Sequence, residues 1–288
     1  MINLFITWDV SPIICRLGGI EVRWYGLLFA TAFVISYILL KKLYSKSNVP
    51  NVYLDKLALY VFFGVLIGAR LGHCLFYEFG YYSHHIIEMF LPIQETADGW
   101  KFIGYQGLAS HGGAIGILLV VWLYAWQTKI PFLWTIDRLV IAICFAGAAI
   151  RLGNLFNSEI YGHVTNMPWG FIFVRDHQIL PAHPTQLYES LSYITIGLIL
   201  YSLAKRKGEK LNQGYIFGLF LICLFGVRFL IEFLKNSQES WEDGMLLNMG
   251  QILSLPFIIA GIVLVIVARK KNIGRKLDVS ILKKIDNK

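Results

Sequence analysis

The chain has 288 residues, of which 56% are hydrophobic and 15% charged, and it carries a net charge of +8. A soluble domain has about 25% charged residues, so this composition excludes an ordinary soluble fold and predicts an all-α polytopic membrane protein. Apolar runs recur along the whole length with no Ser-, Gly- or Pro-rich linker, which predicts one membrane domain over residues 1–288.

The opening stretch MINLFITWDVSPIICRLGGIEVRW lacks the basic start and small-residue cleavage site of a signal peptide. It is expected to remain in the mature protein. Crossing the hydrocarbon takes about 20 mostly apolar residues, and seven spans are predicted near 24–43, 55–76, 108–127, 135–152, 184–203, 213–233 and 248–268. On the second, Gly64, Gly68 and Gly72 form a GxxxGxxxG face, read as close helix packing. Cys15, Cys74, Cys144 and Cys223 show no CxxC spacing, and three lie in apolar runs. They read as buried thiols with no metal site and no disulfide framework.

Basic residues favour the cytoplasmic side. Lys41, Lys42 and Lys46 follow the first span, Lys129 the third, and Lys205, Arg206, Lys207 and Lys210 the fifth, while the tail 269–288 is strongly basic. The opposite loops hold few, so the N-terminus is expected outside and the tail in the cytoplasm. The positive charge is thus mainly a topology signal with attraction to anionic lipid. No aromatic residues alternate with it as base stacking would need, which argues against nucleic acid.

With that topology, the polar residues inside or beside spans gather at the outer ends: Tyr25, Arg70, His111, Arg151, Asn154, Glu189, Arg228 and Glu232. Each has a bland reading. Arg151 would snorkel into the headgroups, Tyr25 would be a belt aromatic, and His111 a hydrogen-bonded helix start. Gly112 and Gly113 beside it suit packing or a ligand. Arg228 and Glu232, four apart, would be a structural ion pair. Taken jointly, arginines at one level ask for an anion. Guanidinium matches phosphate oxygens bidentately, and a phospholipid headgroup is always available at that depth. His111 would then take a proton from a nucleophile near neutral pH. The segments 77–107 and 156–184 read as polar and amphipathic pieces on the outer, periplasmic side, able to cap or gate the site.

The stretch RLGNLFNSEIYGHVTNMPWG, from Arg151 to Gly170, resembles the signature of the bacterial prolipoprotein diacylglyceryl transferases. The resemblance continues in EVRWYGLLFA, GARLGHCLFYE, SHGGAIG, HPTQLYES, RFLIEFLK and GQILSLPF, and covers about Glu21 to Pro256 in family order. Two positions depart from the usual pattern: Ile150 stands where a Gly commonly precedes the arginine, and YQGLAS precedes His111.

The resemblance implies an enzyme of the bacterial inner membrane, with its active site towards the outer leaflet. It would transfer the diacylglyceryl group of phosphatidylglycerol to the lipobox cysteine of a preprolipoprotein, forming a thioether and releasing glycerol phosphate. No metal or organic cofactor is implied. Arg151 would hold the lipid headgroup, with Asn154, Glu159 and Gly162 shaping that site and Arg70 and Glu189 lining the cavity. Arg228, held by Glu232, would stabilise the departing phosphate; His111 would be the base and Tyr25 an orienting contact. The alternative from the residues is a transporter of an anionic solute, which should show repeats and paired broken helices at mid-membrane. No such repeat is evident.

Overall fold

The computed structural model describes residues 5–18, 20–91, 93–96, 99–102, 107–236, 245–271, 274, 277–280 and 282. Several tail cations used above for topology, Arg275, Lys276, Lys283, Lys284 and Lys288, lie outside the described residues. In chain order the elements are β1 (Ile6–Trp8), β2 (Ile13–Leu17), β3 (Ile20–Arg23), α1 (Trp24–Lys46), α2 (Asn51–Phe76), α3 (Phe79–Tyr82) and α4 (Ile86–Phe90). They continue with β4 (Ile93–Thr96), β5 (Gly99–Phe102), α5 (Ser110–Thr128), α6 (Phe132–Phe156), β6 (Phe171–Phe173), α7 (Thr185–Lys207), α8 (Tyr215–Glu232) and α9 (Met249–Lys270).

Among the described residues six helices, α1, α2, α6, α7, α8 and α9, are long and apolar enough to cross a membrane. The remaining predicted span forms as α5, a helix of 19 residues. His111 near its start and Gln127 near its end dilute its apolar centre. The lipid-facing character of the spans shows in exposed large side chains such as Phe63 on α2, Leu198 on α7 and Ile259 on α9.

The chain folds as two compact units, Met1–Ser47 with Ile136–Arg275, and Asn48–Thr135 with Lys276–Lys288. In the second unit α2 packs along α5 through glycines on both helices. A Cβ on Gly68 would stand 2.5 Å from the Gly112 carbonyl oxygen, and one on Gly116 would stand 2.1 Å from that of Gly64. Close backbone approach of this kind replaces the hydrophobic drive that is missing between helices in lipid. The Gly112 left open above is therefore packed against α2. Gly68→Val is expected to lower thermal stability in detergent by about 1–3 kcal/mol, the usual range for overpacking. Gly80→Ala, where an added Cβ meets nothing within 4 Å, should leave the unfolding midpoint unchanged; equal effects of the two would refute the packing account.

In the same unit the segment after α2 is tied back to that helix. Arg70, 4% exposed, donates from its guanidinium to the carbonyls of Glu88 (2.6 Å) and Met89 (3.3 Å). Its charge also lies 4.8 Å from the Tyr82 ring centre. The Glu88 carboxylate accepts from the Tyr81 hydroxyl and the Glu95 backbone N–H. The expected amphipathic surface is present in part, since Phe76, Phe79, Ile86 and Phe90 remain exposed.

In the first unit Ser36 on α1 and Ser190 on α7 each donate to a backbone carbonyl of α6, those of Ala142 and Ala148. The buried Asp137 carboxylate accepts the N–H groups of Gly214 and Phe217 and so caps α8. At the opposite end, Asn248 and Gln251 form a capping box that starts α9. The same two side chains donate to the carbonyls of Glu232 and Phe229 near the end of α8.

The segment between α6 and α7 adds a packed side to the expected amphipathic surface piece. β6 pairs in parallel with β1 near the N-terminus, and Phe171 and Phe173 are buried with Leu155 and Ala182, backed by Trp8, Tyr161 and Leu187. The segment has a small core of its own, while Val164, Met167, Trp169, Val174, Ile179 and Leu180 keep apolar surface outside. The cysteines also differ from expectation. Cys74 and Cys144 are buried, whereas Cys15 and Cys223 are exposed.

Candidate active site

In the first unit, the ends of α6 and α8 meet the beginnings of α1, α7 and α9. Arg151 lies one turn before the end of α6, and its Nε stands 2.8 Å from Oε2 of Glu189 on the first turn and a half of α7. Glu189 is fully buried, and its other oxygen, Oε1, accepts a hydrogen bond from Lys235 Nζ at 3.0 Å. The same ammonium lies 3.5 Å from Glu232 Oε2. Two cations and two carboxylates thus alternate in one buried network, which is how charge is tolerated away from water.

Arg151 also donates to Asn154 Oδ1 at 3.5 Å, as the three-residue spacing predicts. Asn154 in turn donates to Glu159 Oε1 at 2.6 Å, and Asn157 joins the same oxygen at 3.2 Å. The turn carrying Glu159 is strained, because Ser158 and Ile160 have φ of +58° and +60°. A β-branched residue rarely adopts that conformation, which costs about 1–3 kcal/mol. Side chains from α7 hold it: Gln186 donates to the Glu159 carbonyl (2.7 Å) and Thr185 to that of Ile160 (3.0 Å).

Tyr25, at the start of α1, lays its ring on Gly153, where an added Cβ would come within 2.4 Å of the ring. Its hydroxyl feels the charges of Glu159 and Arg151. Tyr193, a turn further along α7 than Glu189, interacts through its hydroxyl with Arg151 and lies within electrostatic range of Arg228. The two arginines therefore share one neighbour.

Arg228 corrects a further expectation. The four-residue spacing predicts an ion pair with Glu232, but the Glu232 carboxylate is directed to Lys235 instead. Gly250 makes this possible, since a Cβ there would lie 2.5 Å from the Glu232 carboxyl carbon. Half-buried Arg228 has no ion-pair or hydrogen-bond partner among the described residues.

Gly162 acts through its backbone. A Cβ at Gly162 would meet the Leu234 carbonyl oxygen at 2.2 Å. Its absence lets residues 234–236 pair beside it, through the Gly162–Lys235 bridge, and brings Lys235 into the network. Outside the spans, burial and the Asp176 carboxylate push the Tyr161 hydroxyl up to about 12, so that it stays a donor to Asp176. Burial and the neighbouring His163 hold the His183 imidazole below its ordinary value. His183 Nδ1 and the Tyr188 hydroxyl are hydrogen-bonded at 3.2 Å, and Trp169 Nε1 donates to that hydroxyl at 2.8 Å.

Of the residues singled out in the sequence, Tyr25, Arg151, Asn154, Glu159, Gly162, Glu189, Arg228 and Glu232 belong to this unit. His111 and Arg70 belong to the other. His111 is exposed on the first turn of α5, and the guanidinium of Arg70 is engaged by the carbonyls and ring described above. Lys235, Tyr193 and Gly250 were not singled out. The spacing of Lys235 from Glu232, three residues, and the NMGQ capping signature beside Gly250 were the signals available.

Chemically, the site offers a guanidinium unpaired among the described residues and a second one fixed by a buried carboxylate, with Tyr193 near both, an arrangement suited to an anionic oxygen group. The family model described as prolipoprotein diacylglyceryl transferase matches residues 12–267. A phosphatidylglycerol–prolipoprotein diacylglyceryl transferase of Bacteroides fragilis is 46% identical over 261 residues, covering 90% of this chain and 94% of the relative. Relatives with the same name from Tolumonas auensis and Porphyromonas gingivalis are 45% and 42% identical. The first covers 92% of this chain and 98% of the relative, the second 95% and 98%.

Proposed function

The chain belongs to the prolipoprotein diacylglyceryl transferase family, and on that premise we propose that it transfers the diacylglyceryl group of phosphatidylglycerol to a cysteine thiol of a prolipoprotein. Family membership and six apolar helices make it a multi-pass membrane protein. We place the reaction at the outer leaflet of the bacterial inner membrane, on the strength of the basic bias of the opposite loops.

In the proposed reaction the cysteine sulfur attacks the glycerol carbon that carries the phosphate. A C–S bond forms, the C–O bond breaks, the electron pair leaves on glycerol phosphate, and the thiol proton passes to a base. Positioning and neutralisation of the leaving phosphate dominate such a displacement. Arg228 is assigned to the departing phosphate, because it has no carboxylate partner among the described residues to compete with one. Arg151 is assigned to the headgroup, its orientation fixed by Glu189 and Asn154. Tyr25 and Glu159 border that group, and His111 is the proposed proton acceptor. The lipobox peptide is the proposed second substrate.

The unpaired Arg228 carries this reading. A transporter of an anionic solute would also use a free guanidinium, but the family and its relatives give it no support. Purified protein supplied with phosphatidylglycerol and a lipobox peptide should yield a peptide heavier by the diacylglyceryl mass and release glycerol phosphate. Absence of both products from folded protein would refute the assignment.

A further inference from the structure

We propose that Lys235 is the residue that makes the headgroup site refuse a primary ammonium and accept an uncharged polyol. The inference rests on the transfer reaction proposed above. Two carboxylates, Glu189 and Glu232, converge on the Lys235 ammonium at 3.0 and 3.5 Å. Its side chain is only 3% exposed. Two buried carboxylates facing one point make a receptor for an ammonium ion, and here the protein fills that receptor itself. A lipid headgroup ending in a primary ammonium has the same donor chemistry as lysine. It meets an occupied position and a like charge, which is a means of exclusion independent of any contact to the preferred lipid.

Glu232 supplies the complementary feature. It is 6% exposed, and its Oε2 lacks a hydrogen-bond partner among the described residues. The 3.5 Å separation from Lys235 is an ion-pair distance, too long for a good hydrogen bond. A buried carboxylate oxygen with open lone pairs takes a hydroxyl donor. A headgroup with hydroxyls beyond its phosphate can satisfy that oxygen while the phosphate meets the arginines, and a charged amine cannot approach. Backbone geometry delivers the lysine, because Gly162 admits the Leu234 carbonyl at a distance no other residue permits.

The test uses the full chain in detergent micelles, with phosphatidylglycerol as donor, a lipobox peptide as acceptor and phosphatidylethanolamine as competitor. In the parent protein phosphatidylethanolamine should inhibit weakly. Its N-acetylated form, whose headgroup nitrogen is uncharged, should inhibit at least about tenfold more strongly, a difference of about 1.4 kcal/mol. In Lys235→Ala, phosphatidylethanolamine should gain at least about tenfold as an inhibitor relative to the parent. Ethylammonium chloride should recover phosphatidylglycerol transfer in that variant and leave the parent unchanged, and Lys235→Arg should keep parental selectivity. If Lys235→Ala folds only with ethylammonium present, that dependence supports an ammonium-shaped vacancy.

Equal inhibition of the parent by the two competitors would overturn the proposal whether or not the variant folds. So would a folded Lys235→Ala with parental selectivity and no response to ethylammonium. Transfer from phosphatidylglycerol by the parent is scored separately, so loss of the specificity claim leaves the reaction standing, and failure of that transfer removes the reaction.

Discussion

Arg228→Ala is expected to abolish diacylglyceryl transfer, by about 10²–10³-fold or more, the cost of removing one strong charge stabiliser from a transition state. The folded state should barely notice. Arg228 is half-buried, with no ion pair or hydrogen bond among the described residues, so none of those is stranded when it is removed. Substitutions of that kind stay within about 0.5 kcal/mol. Arg228→Lys keeps a charge but loses the planar fork that matches two phosphate oxygens, and it should recover only part of the rate. Transfer rate and thermal unfolding measured on the same preparations check this. Parental turnover by Arg228→Ala would mean the phosphate is gripped elsewhere.

Glu189→Gln should have the converse signature, a large loss of stability. The parental carboxylate is fully buried, 2.8 Å from Arg151 and 3.0 Å from Lys235. An amide in its place leaves two cations with only Glu232 nearby, and breaking a buried ion pair from one side costs about 3–5 kcal/mol. Arg151 would lose the contact that fixes its Nε, so transfer should fall as well. Denaturant unfolding in detergent gives the stability and the transfer assay gives the rate. A Gln variant as stable as its parent would show the network to be solvated, and the fixed position of Arg151 would then need another cause.

The two predictions separate residues that looked equivalent in the sequence. Arg151 and Arg228 both sit late in an apolar run, and i,i+4 spacing offered Glu232 to Arg228. Spacing reports which side chains can meet on one helix, and it is silent about competitors from other helices. Lys235 approaches Glu232 from beyond the end of α8 and Glu189 from 46 positions away. Both contacts are decided by backbone packing at Gly162 and Gly250. The buried side of segment 156–184 was not legible for a related reason. Its aromatics have no helical partner in sequence, because Phe171 and Phe173 are covered through a strand that pairs with residues 6–8.

Taken alone, the sequence determined the membrane class, the positions of the long helices, the glycine packing face of α2, and the crowding of polar residues at the ends of α1, α6, α7 and α8. These follow from apolar length and residue spacing, which act within one segment and survive in any packing of it. Only the tertiary structure decided which charges neutralise each other and which is left for a ligand. Buried ion pairing is a competition among all groups that reach one low-dielectric point, and the winner, Lys235 over Arg228 for Glu232, depends on backbones allowed to touch at two glycines.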